Sequence, residues 1–308
     1  IIILKYLNQR IVFLSIIIFL IISCTAESSK PYFVTSSYPV TLILQELTGN
    51  KAKVETLVPF GASPHTYSPK PSDVQKASVA KAFFFVSVDY DGWSQTLNKK
   101  NSIEVFNLLP KAFVQNFIDV NGINDGHIHT ADDGHNHAPG LPDPHFWMDP
   151  IAVKSLLPVL ADTLGKIDPE NAAFYKTNAD IFAKKIDVLN RQAADLLKNL
   201  TNAQVFLYHP SVLYMLNRYN MVYAGSIEEI PGKEPSAKFM SNLIDKIKKS
   251  QAKAIFSEPQ LPDKNAKLLA QETGVSLYVL DPVGGTNKIN KYADLILYNA
   301  RILKKALE

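Results

Sequence analysis

The sequence predicts an α/β protein of two βα lobes with mainly parallel sheets, joined by one long rigid helix. Three observations carry this expectation. Short apolar runs alternate with helical patterns from Tyr32 to about residue 107, and the alternation returns from about residue 203 to the end, as expected for βα units building a parallel sheet. Between the two series, Phe174, Ile181, Phe182, Ile186, Leu189, Ala193, Leu196 and Leu197 recur at spacings of three, four and seven, the pattern of one amphipathic helix. A length of 308 residues with 46% hydrophobic and 20% charged residues is that of an ordinary globular chain and suits two lobes better than one.

Residues 1–24 read as an export signal. Lys5 and Arg10 precede an apolar run from Ile11 to Ile22 that ends at Ser23-Cys24. Such a run is too short to span a bilayer comfortably; with its basic flank and small final residue it has the form of a cleaved leader. Ile21-Ile22-Ser23-Cys24 resembles the bacterial lipobox, in which cleavage before the cysteine exposes a thiol that receives a diacylglycerol anchor. Cys24 is then the lipidation site, and the chain an exported, membrane-anchored lipoprotein on the extracytoplasmic face. Cys24 is the only cysteine and cannot form an internal disulfide; the competing reading is a buried structural thiol. Residues 25–30, polar and small, form a tether.

The N-terminal lobe spans 31–168. Strands are expected near 32–36, 53–58, 82–88 and 103–107, with helices near 39–48, 71–79 and 91–98. The stretch 121–142 contains Gly122, Gly126, Gly134 and Gly140, is rich in Asp and His and has almost no apolar content, so it is expected to be a surface loop. Asp168 and Pro169 form a helix entry, with Asp168 as N-cap and Pro169 at the first helical position. The linking helix covers 169–200 and acts as a stiff spine. The C-terminal lobe, 201–308, has strands near 203–208, 221–225, 253–257 and 276–280 and helices near 210–218, 236–249, 263–272 and 288–307.

Charge excludes some partners. Removing Lys5 and Arg10 with the leader takes the 32 basic residues to 30, against 29 acidic. That balance gives no electrostatic case for nucleic acid or for a polybasic membrane surface.

The seven histidines carry the chemistry. His127, His129, His135 and His137 lie in the loop, while the other three each touch a proline, in Pro64-His65, Pro144-His145 and His209-Pro210. His65 follows the second expected strand, and His209 and Asp281 directly follow strands of the second series. Ligands of open parallel sheets bind beyond the carboxyl ends of strands. Three imidazoles and a carboxylate make a tetrahedral zinc set, and the adjacent prolines restrict the backbone and reduce its ordering cost. Taken singly, each histidine is equally consistent with a surface or hydrogen-bonded core residue, and Asp281 before Pro282 with an ordinary turn starter.

At these residues the sequence resembles the metal-specific substrate-binding proteins of bacterial ABC transporters, a family that includes zinc and manganese receptors. The matching stretches are Val58-Pro59 through Gly61-Ala62-Ser63-Pro64-His65-Thr66-Tyr67 with Pro71-Ser72-Asp73, then Asp143 to Pro150, Tyr208-His209-Pro210, Glu234-Pro235-Ser236, Phe256 to Gln260 and Leu280-Asp281-Pro282. They run in family order over nearly the whole chain after the tether. The resemblance implies a metal buried at the lobe interface, held by His65 and His145 from the first lobe and His209 and Asp281 from the second. It also implies an ABC transporter membrane permease as partner; the chain is expected to be a monomer that meets the membrane through its lipid anchor. In manganese receptors of the family a carboxylate tends to replace the third histidine; here it is His209, which points to Zn2+ as the transported ion. Nitrogen-rich ligation favours zinc over manganese on general grounds too. The histidine-rich loop is expected to be an accessory metal site, with incidental histidines as the alternative. Trp147 and Tyr208 are placed to pack over the ligands or in the core, and Glu258 to brace a ligand or the lobe interface.

Other functions remain to be weighed. A manganese receptor is the nearest alternative. A zinc hydrolase also holds zinc by three protein ligands and an open position, but no His-Glu-x-x-His segment and no general base beside the ligands can be identified. A surface adhesin role has no separate sequence feature. The expectation is therefore a receptor and not an enzyme.

Overall fold

In the computed structural model, residues 30, 32–97, 100–118, 140–228, 232–286 and 288–308 are described. The expected leader, Cys24, most of the tether and the four loop histidines (His127, His129, His135, His137) lie outside the described residues.

The first lobe contains β1 (Tyr32–Thr35), α1 (Tyr38–Thr48), β2 (Lys53–Thr56), α2 (Pro71–Val79), β3 (Ala82–Phe85), α3 (Val88–Asp91) and β4 (Ser102–Glu104). Its sheet runs β2-β1-β3-β4, with every pair parallel. After the helices α4 (Pro150–Ile167) and α5 (Ala172–Leu197) come β5 (Gln204–Leu207), α6 (Leu213–Arg218), β6 (Val222–Ser226), α7 (Ala237–Ser250), β7 (Ala254–Ser257), α8 (Lys264–Thr273), β8 (Ser276–Val279) and α9 (Tyr292–Leu307). The second sheet repeats the order as β6-β5-β7-β8, again all parallel. Central strands are apolar on both faces, as helix-covered parallel strands must be: Phe33, Val34, Phe83 and Phe84 are wholly buried, and so are Val205, Ala254 and Ile255.

One continuous core joins the two lobes. It runs from Phe33 and Leu44 through Phe182, Ile186 and Leu189 of α5 to Tyr292, Leu295 and Leu303 of α9. Smaller clusters fill the far faces of the sheets, around Phe206, Phe239, Leu243 and Leu269 in the second lobe and Leu57, Ala77 and Phe85 in the first. The helix α5, 26 residues long and so about 39 Å, packs against α1, α4 and α9. The expected spine is thus in place, and its apolar stripe touches both lobes. No helix among the described residues is long and apolar enough to cross a membrane.

Several elements differ from the sequence expectation. The helix α4 was not anticipated, because Pro158 in its interior reads as a breaker: proline lacks the N–H and clashes one turn back. Burial of Leu156, Leu157, Leu160 and Leu164 against α5 outweighs that cost. Gly165 makes the α4–α5 corner possible, since a Cβ there would stand 2.9 Å from that of Ala172. Pro169–Asn171 form a 3-10 turn instead of the first turn of α5, and the Asp168 side chain caps no backbone N–H. Its carboxylate instead accepts from the Tyr175 hydroxyl (2.5 Å), Asn171 Nδ2 (2.7 Å) and Lys81 Nζ (2.9 Å). The helix expected near 91–98 begins earlier, because the Ser87 side chain caps it through the Tyr90 N–H, and it passes into a 3-10 turn from Gly92.

Candidate metal centre

Each of the three proline-flanked histidines reaches the site from a different connection. His65 sits in a 3-10 turn, Pro64–Thr66, in the long loop after β2. That turn is held by Trp93, whose Nε1 donates to the Pro64 carbonyl at 2.8 Å, while the following chain is pinned by Tyr67 and the Lys70 N–H, both donating to Asp73. His145 precedes the 3-10 turn Phe146–Met148 that leads into α4. His209 follows β5, one of the two inner strands of the second sheet, beside the point where connections leave β5 and β7 in opposite senses. That is where open parallel sheets bind ligands.

The three rings form a nearly equilateral triangle. Their centroids are 5.4 Å apart for His65 and His145, 5.1 Å for His65 and His209, and 5.2 Å for His145 and His209. One ring nitrogen from each lies within 4.8 Å of the other two, and the Nε2 atoms of His65 and His145 are 3.3 Å apart. A tetrahedral ion with metal–nitrogen bonds of ~2.05 Å sets its ligand nitrogens ~3.3 Å apart. The first-lobe pair therefore already has the spacing of a zinc edge. All three histidines are buried, at 5%, 2% and 1% exposure.

Around the rings the environment is aromatic on one side and polar on the other. Tyr90 stands edge-on to His65 at 4.3 Å and near His145 at 5.4 Å, and burial raises its hydroxyl pKa, so it remains neutral. Trp147 lies 5.4 Å from His145 and donates Nε1–H to the Pro282 carbonyl at 2.8 Å, a bond between the lobes. The small cavity beside the histidines, about 10 Å³, is also lined by Ser211, Glu258, Gln260 and Pro282. That is roughly the space of one water-sized sphere. Burial pushes the Glu258 carboxyl up to about 8, with Asp281 and Glu228 adding to the rise and the Ser211 hydroxyl, at 2.6 Å, opposing it.

Asp281 is not brought into the histidine cluster, which among the described residues consists of His65, His145 and His209. Its fully buried carboxylate accepts from Gln260 Nε2 and the Gly284 N–H, each at 2.8 Å, and from the Thr286 hydroxyl. Gln260 thus both donates to Asp281 and lines the cavity beside the rings. Tyr208 is buried and donates to Glu228 at 2.7 Å. Sequence reasoning passed over Tyr90, Ser211 and Asp143. Only Asp143 carried a usable signal, being a carboxylate two residues before a ligand candidate.

A family model described as zinc-uptake complex component A periplasmic, ZnuA, matches residues 33–306. A zinc-binding protein AdcA of Streptococcus pyogenes is 29% identical over 267 residues, covering 83% of this chain and 51% of that protein. The high-affinity zinc uptake system protein ZnuA of Brucella abortus is 40% identical over 167 residues, covering 54% of this chain and 50% of that protein. The chain thus spans about half the length of the curated relatives it matches. A crystal structure of ZnuA superimposes with a TM-score of 0.74 at 24% identity, covering 91% of this chain and 100% of the other, which shows the same fold.

Proposed function

The chain belongs to the ZnuA family of periplasmic zinc-uptake components, and on that premise we propose that it is an extracytoplasmic receptor that captures Zn2+ and hands it to an ABC transporter membrane permease. The observation that carries this reading is the buried triangle of His65, His145 and His209, drawn from both lobes, with one ring nitrogen of each within 4.8 Å of the others and the His65–His145 edge at 3.3 Å. Three imidazoles favour zinc over manganese, which prefers oxygen-rich, higher-coordinate sites. The near absence of free volume beside the rings supports binding of a bare ion over turnover of a substrate, so the receptor reading is preferred to a hydrolase.

Asp281 remains the proposed fourth ligand. It joins the ion by exchanging a hydrogen bond, from Gln260 or Thr286, for a metal bond. The loop histidines His127, His129, His135 and His137 are proposed as an accessory, weaker site, and Cys24 as the lipid attachment point of a monomer. Titration of metal-stripped protein with zinc and manganese against a chelator tests the central claim, alongside a version lacking residues 123–141. The expected result is tight one-to-one zinc binding that survives the deletion, with manganese much weaker. Tight binding that disappears with the loop, or a preference for manganese, would overturn it. Incorporation of a labelled fatty acid that is lost in Cys24→Ser tests the anchor.

A further inference from the structure

The environment of His145 is asymmetric. Asp143 is wholly buried, and its Oδ1 accepts two hydrogen bonds from the same histidine, from the backbone N–H at 2.9 Å and from ring Nδ1 at 2.7 Å. An ionised carboxylate has only acceptors, so the short contact requires the proton of His145 to sit on Nδ1. In the neutral ring Nε2 is then the unprotonated nitrogen, and it faces His65 Nε2 at 3.3 Å.

We infer that Asp143 is the positioning residue of this site, locking His145 in the Nδ1–H tautomer so that its Nε2 is ready for metal before any ion arrives. The inference rests on the zinc-receptor reading for its purpose, though its geometry is that of the metal-free protein. Asp143 is itself fixed by its backbone: its N–H donates to the Gln115 carbonyl at 2.8 Å, and the Gln115 N–H donates to the Tyr214 hydroxyl of α6 at 2.9 Å. A chain of hydrogen bonds thus runs from the second lobe to the ring orientation of a first-lobe ligand.

The same constraint assigns His65. With His145 Nε2 as acceptor, a hydrogen bond between the two rings has His65 Nε2–H as its donor. Zinc entry then replaces one N–H···N bond by two metal–nitrogen bonds. For His65 to bind through Nε2, its ring proton moves from Nε2 to Nδ1, with no net change in charge on the ring. His145 is preset for the ion, and His65 is the ligand that must change tautomer.

The test is long-range 1H–15N correlation of 15N-histidine-labelled, metal-free protein, with His145 assigned by difference from His145→Gln, paired with zinc titration of Asp143→Asn and Asp143→Ala. Wild-type His145 is expected as the Nδ1–H form. Asp143→Asn keeps an acceptor at Oδ1 and is expected to keep that tautomer while losing the charge, binding zinc a few-fold more weakly. Asp143→Ala is expected to populate Nε2–H and to weaken zinc binding ~10–100-fold. Wild-type His145 in the Nε2–H form, or an Asp143→Ala protein with unchanged tautomer and unchanged affinity, would overturn the inference. Because the tautomer is read without metal, a protein that proved not to bind zinc would refute the receptor reading while leaving this result standing. If Asp143→Ala does not fold, the wild-type and Asp143→Asn spectra still decide.

Discussion

Removing His209 separates a metal that is merely bound from one that ties the lobes together. Two of the clustered ligands come from the first lobe, and His209 is the single one from the second. In wild-type protein with free zinc at a thousand times its dissociation constant, binding adds about 4 kcal/mol to stability. At about 2 °C per kcal/mol for a folded body of this size, the melting temperature should rise by about 8 °C. His209→Ala leaves the His65–His145 pair with its 3.3 Å spacing, so weak binding persists with the second lobe's hold reduced to the proposed Asp281 ligand. A hundredfold loss of affinity at the same zinc concentration leaves about 1.4 kcal/mol, or about 3 °C. Differential scanning calorimetry of each protein with and without zinc gives the shift directly, and each protein's own metal-free trace absorbs the packing cost of the substitution. A zinc-induced shift in His209→Ala equal to that of wild type would show that the three-histidine site is not where zinc binds.

Other substitutions probe the supports of the site. Gly285 has φ +80°, and a Cβ there would lie 2.1 Å from Phe60 Cδ1; Gly285→Ala should cost about 1–2 kcal/mol in urea denaturation. Adding Phe60→Ala should recover part of that loss, and strict additivity of the pair would rule out the contact as its source. Arg218 clamps Asp149 across the lobes with bonds of 2.8 and 2.6 Å, so Arg218→Met strands a carboxylate only 2% exposed and should cost about 2–3 kcal/mol. Asp149→Ser, which retains a cap for α4 and removes the stranded charge, should cost less, and the reverse order would refute the charge argument. For Asp168, burial raises the carboxyl pKa, but the donors Tyr175, Lys81 and Asn171 outweigh it and the net shift is downward. A lowered folded pKa stabilises the protein above the ordinary carboxylate range, and this contribution is lost as pH falls through the folded value. Asp168→Asn should therefore be less stable at neutral pH and show a shallower acid loss below about pH 4, as read from urea midpoints against pH.

The repeated βα alternation, the spine and the three histidines were legible in the sequence because each rests on local signals: apolar period, chain punctuation and proline-flanked ligands. Helix α4 was not legible, since Pro158 contradicts a helix locally and only the packing of Leu156, Leu160 and Leu164 against α5 outweighs it. The state of Asp281 was not legible either. Position after a strand placed it near the site, but whether its oxygens face the rings depends on Gln260 and Thr286, which lie 21 residues before it and 5 after. Tyr90 follows a strand as His209 does, yet an aromatic at a strand end carries no ligand signal, and its place against His65 and His145 comes from the turn of α3.

The architecture also bears on how an ion can enter. Two lobes hinged by a flexible segment could swing wide, but here α5 is buried along its stripe against α1, α4 and α9, and Arg218, Trp147 and Tyr292 each bond across the lobes. Opening the lobes as rigid bodies would break all of these together. The contacts that can yield singly are at the loops: Phe60, 58% exposed, rests on Gly285, and a Cβ on Gly232 would lie 3.2 Å from the Thr66 methyl beside His65. Loop 59–67 lies against both second-lobe loops and carries a ligand, so displacing it uncovers His65 while His145 and His209 stay fixed. The ligand whose ring proton must move is thus carried by a loop whose contacts with the second lobe can yield one at a time, which favours entry from that side.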